Sequence, residues 1–163
     1  SLEKTKQQIH SGNLNSNNPS LNIAKWITKT PVIYFPRGLN SVAIRFKNSL
    51  NENAKIHVIS EELLEVCHNG IVAWKTNGEF QPILIRGKDD HEKTKERWNI
   101  VKDFFEKEHI KFLELNSESG NILTKIINLI YVTDYASIYH AIENNTDPSP
   151  VFPIDFIKEK LSD

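Results

Sequence analysis

The chain has 163 residues, of which 39% are apolar and 25% charged, with 20 Lys plus Arg against 21 Asp plus Glu. That length suits one domain with a core of its own, and no apolar run approaches the roughly 20 residues of a membrane helix. Balanced charge without a long basic stripe argues against nucleic acid or an anionic membrane as partner and leaves a small molecule or another protein chain.

Residues 11–20 are polar and turn-rich, which makes 1–18 an N-terminal extension and linker and starts the folded unit, 19–163, near Pro19. A helix is predicted over 19–30, where Leu21, Ile23, Ala24, Trp26 and Ile27 share one side. Residues 31–35 read as a buried strand, followed by the turn Pro36-Arg37-Gly38 and a helix over 39–53 carrying Val42, Ala43, Phe46 and Leu50. The alternation continues with a strand over 56–59, a short helix over 61–66, a strand over 82–86 and a helix over 90–109. A strand over 110–115, a long helix over 121–144 and a last helix over 153–161 complete the pattern.

Strands alternating with helices require crossover connections. The expected fold is therefore α/β, a three-layer sandwich around a mainly parallel sheet of about four or five strands. Ligands of such sheets bind beyond the carboxyl ends of the strands, which directs attention to residues 36–40, 53–55, 87–90 and 116–120.

The segment Arg37-Gly38-Leu39-Asn40-Ser41 joins a strand to a helix start, where free backbone N–H groups can receive an anion. Equally, Gly38 can serve a plain tight turn and Ser41 a helix N-cap. Glu52 falls near a helix C-terminus, where the macrodipole disfavours a carboxylate. It is either a solvated surface residue or a group suited to proton shuttling, with Lys47 and Lys55 as nearby counter-charges. His68, in Val66-Cys67-His68-Asn69-Gly70, is either an ordinary loop histidine or an acid–base group. His57, Cys67 and His68 do not make a metal site, so no metal and no cofactor are expected, and Cys67 is assigned to packing. The polar start Ser1-Leu2-Glu3-Lys4 and the single cysteine point to a cytoplasmic, reducing setting without disulfides.

The run Ala43-Ile44-Arg45-Phe46-Lys47 to Leu50-Asn51-Glu52-Asn53-Ala54-Lys55 resembles the signature helix of the bifunctional phosphoglucose/phosphomannose isomerases. The likeness continues through His68-Asn69, Ile71-Val72-Ala73-Trp74, Asp134-Tyr135-Ala136-Ser137-Ile138-Tyr139, Asp147-Pro148 and Pro153-Ile154-Asp155. It spans the chain from about Asn18 to Leu161 and marks it as similar to the C-terminal sugar-isomerase (SIS) domain of that family, with a flavodoxin-type fold.

The resemblance implies an aldose–ketose isomerase acting on glucose 6-phosphate and mannose 6-phosphate through an enediol, without a metal. Glu52 would be the base between C1 and C2, His68 would open the sugar ring, and Lys158, preferred over Lys160, would assist from the last helix. Arg37, Gly38, Asn40 and Ser41 are the expected substrate-binding residues. A homodimer is implied in which the histidine reaches the partner's site. The family also carries a first SIS domain that grips the sugar phosphate, so a non-catalytic sugar-phosphate-binding or dimerisation module is the alternative for this chain. Phe46 stands where the family often has Trp, and Val66, Cys67 and Gly70 replace residues that are commonly more polar.

Overall fold

In the computed structural model, which describes residues 2–75 and 78–162, four strands form one all-parallel sheet. They are β1 (Thr30–Phe35), β2 (Ile59–Glu62), β3 (Phe80–Arg86) and β4 (Leu113–Asn116), in the order β2-β1-β3-β4. Ile33 pairs with Ile83 across β1 and β3, and Ile85 with Leu115 across β3 and β4.

Side chains alternate between the faces of a strand, and here both faces are covered. Ile33, Phe35, Ile83, Ile85 and Leu115 point into one core with helices α2 (Pro19–Trp26), α3 (Asn40–Ser49) and α6 (Ile122–Glu143). Val32, Tyr34 and Leu84 point into the other, against α4 (Leu63–Val66), the 3-10 turn Gly70–Lys75 and α5 (Glu92–Lys107). The expected three-layer α/β sandwich is therefore present, with four strands.

Three features depart from the sequence expectation. The segment 1–18 is not a bare extension: Leu2–Ile9 forms α1, Ile9 is fully buried, and the Tyr139 hydroxyl of α6 donates to the Ile9 carbonyl. Asn18 is buried too, donating to Asn13 O and capping α2 by accepting from the Leu21 N–H. Short side chains that bond to nearby backbone are common in loops, so the polar composition of 11–18 conceals a hydrogen-bonded turn.

The second strand starts three residues later than predicted. Ile56 and Val58 pack against the core from a loop, while Ile59–Glu62 pairs with Val32 to Phe35 as an edge strand. An edge strand has one open side and tolerates Ser60, Glu61 and Glu62. Finally, the helix predicted over 39–53 is α3 followed by a π-helical turn, Leu50–Ala54, closed by Lys55 at φ 60°. The last helix is α7 (Phe152–Leu161), and none of its side chains is buried.

Candidate functional site

Glu52 lies within the π-turn, exposed, at the rim of a cavity of about 410 Å³. Asn48, Asn51, Glu52 and Lys55 form one wall, and Pro150, Val151, Pro153 and Ile154, where α7 begins, form the other. A π-turn widens the helical ring by one residue and is common at functional sites.

The polar residues around Glu52 are tied down. Arg45 donates Nε to Asp134 Oδ1 at 3.0 Å and Nη2 to Oδ2 at 2.9 Å, and Ser49 Oγ donates to the same carboxylate at 2.9 Å. Asn53 Nδ2 donates to Ser137 Oγ at 2.8 Å, and Asn51 Nδ2 to the Ile56 carbonyl at 2.6 Å. Phe46, Leu50 and Ala54 fill the core beneath. Asp134 and Ser137, one turn apart on α6, thus hold the π-turn from outside while the apolar face of α3 holds it from inside, and Glu52 lies exposed among the residues lining the cavity.

His68 is exposed at the end of α4, its N–H donating to the Glu65 carbonyl at 3.0 Å. The loop behind it is pinned by Trp74, which is buried and donates to the Tyr34 hydroxyl at 2.7 Å. Burial pushes the Tyr34 phenol up to about 12, against the opposing effect of the Trp74 bond. Because α4 packs on the second core and the π-turn on the first, the sheet separates His68 from Glu52. Within one chain the two residues stand in different layers.

Arg37, Gly38, Asn40 and Ser41 sit at the opposite end of α3 from Glu52, at the carboxyl end of β1, and all four are exposed. At 1.5 Å per residue, Ser41 and Glu52 are roughly 16 Å apart along the helix axis, longer than a hexose phosphate can bridge from both ends. Arg37–Leu39 is a 3-10 turn, and Ser41 is the second residue of α3 rather than its cap, a position taken by Leu39. A Cβ on Gly38 would meet Ile122 Cδ1 at an ordinary 3.5 Å, so the turn does not require glycine. Residues 53–55 precede β2, so they lie at the amino ends of the strands and not, as expected from the sequence, at the carboxyl ends.

Lys158 is exposed on α7, one helical turn beyond Ile154 and two beyond Val151, both in the cavity wall. Residues at such spacings share a helix face. Lys160 aligns only with Pro153, two turns away. Cys67 is exposed rather than packed. Arg45, Asn53 and Asp134 belong to the family-like motifs without a role evident from the sequence, and Ser49 carries no sequence signal of its own. The signal was Asp134 itself, an acid amid the long, mostly apolar stretch of α6.

Solved structures share this architecture. The chain superposes on a glucose-6-phosphate isomerase-like protein from Thermus thermophilus with a TM-score of 0.68 at 14% identity, covering 90% of this chain and 49% of that one. It also superposes on the C-terminal domain of glucosamine-fructose-6-phosphate aminotransferase from Francisella tularensis, with a TM-score of 0.58 at 16% identity, covering 91% and 45%. These likenesses define the class of fold, a sugar-isomerase-type α/β sandwich.

The family model for the bacterial phospho-glucose isomerase C-terminal SIS domain matches residues 16–161, and the chain belongs to that family. It is 32% identical over 152 residues to a bifunctional phosphoglucose/phosphomannose isomerase of Caldicellulosiruptor bescii, covering 87% of this chain and 45% of the relative. A protein of the same description from Aquifex aeolicus is 30% identical over 134 residues, covering 80% and 42%. The chain spans less than half the length of these curated relatives. Among the described residues no helix is long and apolar enough to cross a membrane.

Proposed function

We propose that this domain supplies the proton-transfer half of an aldose–ketose isomerase acting on glucose 6-phosphate and mannose 6-phosphate. Glu52 takes the C2 proton of the ring-opened aldose, leaving an enediolate, and returns it to C1 while a proton passes from the C2 hydroxyl to the C1 oxygen through the enediol, giving fructose 6-phosphate. His68 protonates the ring oxygen as the sugar opens, in the active site of a second copy, since the sheet keeps it from Glu52 of its own chain. Lys158 stands along α7 as a cation for the oxygens that gain charge.

The observation that carries this reading is the placement of Glu52. It is a carboxylate at the mouth of a cavity, on a π-turn whose neighbouring polar groups are consumed by Asp134, Ser137 and the Ile56 carbonyl. A base must be held within hydrogen-bond reach of a carbon-bound proton, and such a frame fixes it. Phosphate binding is assigned to a first SIS domain beyond this chain, because the length shared with relatives leaves room for one.

The second reading is a sugar-phosphate-binding or dimerisation module, favoured by the span of less than half of each relative. A coupled isomerase assay with calorimetric titration of fructose 6-phosphate separates the two. Turnover by the protein that carries this chain supports the isomerase; saturable binding without turnover supports the module and contradicts catalysis.

A further inference from the structure

We propose that Lys55 is a positioning residue that clamps the start of α7 against the π-turn bearing Glu52. Its catalytic consequence rests on the isomerase reading above; the clamp itself does not.

Lys55 adopts the left-handed conformation, φ 60° and ψ 30°, and its side chain turns back over the π-turn it has just closed. Its Nζ donates to the Glu52 carbonyl, to the Pro150 carbonyl at 2.7 Å and to the Pro148 carbonyl at 3.4 Å. An ammonium has three protons, and three main-chain oxygens take them. Standing near Glu52 in sequence, Lys55 reads as its counter-charge. In the structure its donors are committed to main-chain oxygens instead.

What the clamp holds has little else to hold it. No side chain of α7 is buried. Among the described residues, the hydrogen bonds that join 147–162 to the rest of the chain are those from Lys55. Asp147 closes the same loop locally, accepting from the Ser149 N–H at 2.9 Å. Pro148 and Pro150 have no N–H to offer, and their carbonyls remain as acceptors that an ammonium satisfies. One lysine therefore bridges the two walls of the 410 Å³ cavity, Asn48 to Glu52 on one side and Pro150 to Ile154 on the other. Releasing it frees the α7 wall, and Lys158 with it, to move away from Glu52, and small misplacements near a reacting centre cost large factors in rate.

The test compares Lys55→Met and Lys55→Arg in the protein that carries this chain; both keep an unbranched side chain at the left-handed position. Hydrogen exchange is followed at the amides of Ser149, Val151, Phe152, Ile154 and Asp155, with α5 as internal control, alongside turnover of fructose 6-phosphate. Expected for Lys55→Met is exchange at least about tenfold faster at those amides with α5 unchanged. Its kcat falls about 10- to 100-fold with KM within about threefold, and arginine recovers most of both. Unchanged exchange in 149–155 overturns the clamp. Faster exchange with unchanged kcat overturns its positioning role, and α5 exchange rising equally shows general destabilisation, which also overturns it. Failure of the isomerase reading would show instead as full turnover by a Glu52→Gln variant, with the exchange result still deciding the clamp.

Discussion

Arg45 on α3 and Asp134 on α6 form a two-pronged ion pair, 3.0 and 2.9 Å between heavy atoms, and Ser49 adds a hydroxyl to the same carboxylate. The two partners are unequal. The Arg45 side chain is 58% exposed and that of Asp134 27%, while Ser49 is buried.

Truncating the two sides of that pair should therefore have different effects. An exposed ion pair contributes about 0–1 kcal/mol, so Arg45→Ala should lower urea stability by about 0.5 kcal/mol. Asp134→Ala also strips a buried hydroxyl of its acceptor and should cost about 1–2 kcal/mol. Equal losses would show that Ser49 draws nothing from Asp134.

Helix α1 gives a second contrast. Ile9 is fully buried, whereas Leu2 on the same helix is 44% exposed. Ile9→Ala is expected to cost about 2–4 kcal/mol of unfolding free energy. Leu2→Ala should stay within about 0.5 kcal/mol. If Ile9→Ala is equally silent, α1 does not contribute to the folded unit in solution.

Glu114 sets a pH dependence. Burial opposes its ionisation, but the bonds from Lys102, at 2.8 Å, and from Arg86 outweigh it and hold the carboxyl below the usual range. A carboxyl depressed in the folded state contributes stability above its unfolded value of about 4.3, and that contribution disappears as pH falls through the folded value. Urea titrations between about pH 5 and 3 should show stability falling more steeply in the unaltered protein than in Glu114→Gln. Parallel slopes would mean the two cations do not favour the ionised form.

The separation of Glu52 and His68 by the sheet predicts complementation. Glu52→Gln and His68→Asn variants, each inactive alone, should recover activity on mixing. If the site is shared across a two-fold dimer, about a quarter of sites regain both residues at equal proportions. No recovery after subunit exchange, confirmed by tagged heterodimers, would place both residues in one chain's site or neither in it.

The sheet, its four strands and the helices between them were legible because apolar periodicity is strong where both faces of a sheet are covered, as in 31–35 and 82–86. The edge strand was displaced because Ile56 and Val58 serve the core from a loop, and β2 takes its place by pairing rather than by composition. Helix α1 was hidden by charge: Ile9 is its sole fully buried apolar residue, and hydrogen bonds such as Asn128 to Thr5 and Tyr139 to the Ile9 carbonyl help to tie it down. Glu52 was singled out by its motif alone. The scaffold around it was not, since Arg45–Asp134 and Asn53–Ser137 join residues 89 and 84 positions apart, a proximity that periodicity cannot reveal. Grouping Arg37 to Ser41 with Glu52 overlooked the length of α3 between them.

The most direct measurement is steady-state isomerase turnover of fructose 6-phosphate by Glu52→Gln in the protein that carries this chain. Glutamine keeps the shape of the side chain and cannot take up the proton. The expected kcat is lower by about 10²- to 10⁴-fold, with KM nearly unchanged. A kcat within about threefold of the unaltered protein would contradict Glu52 as the base and with it the isomerase mechanism proposed for this domain.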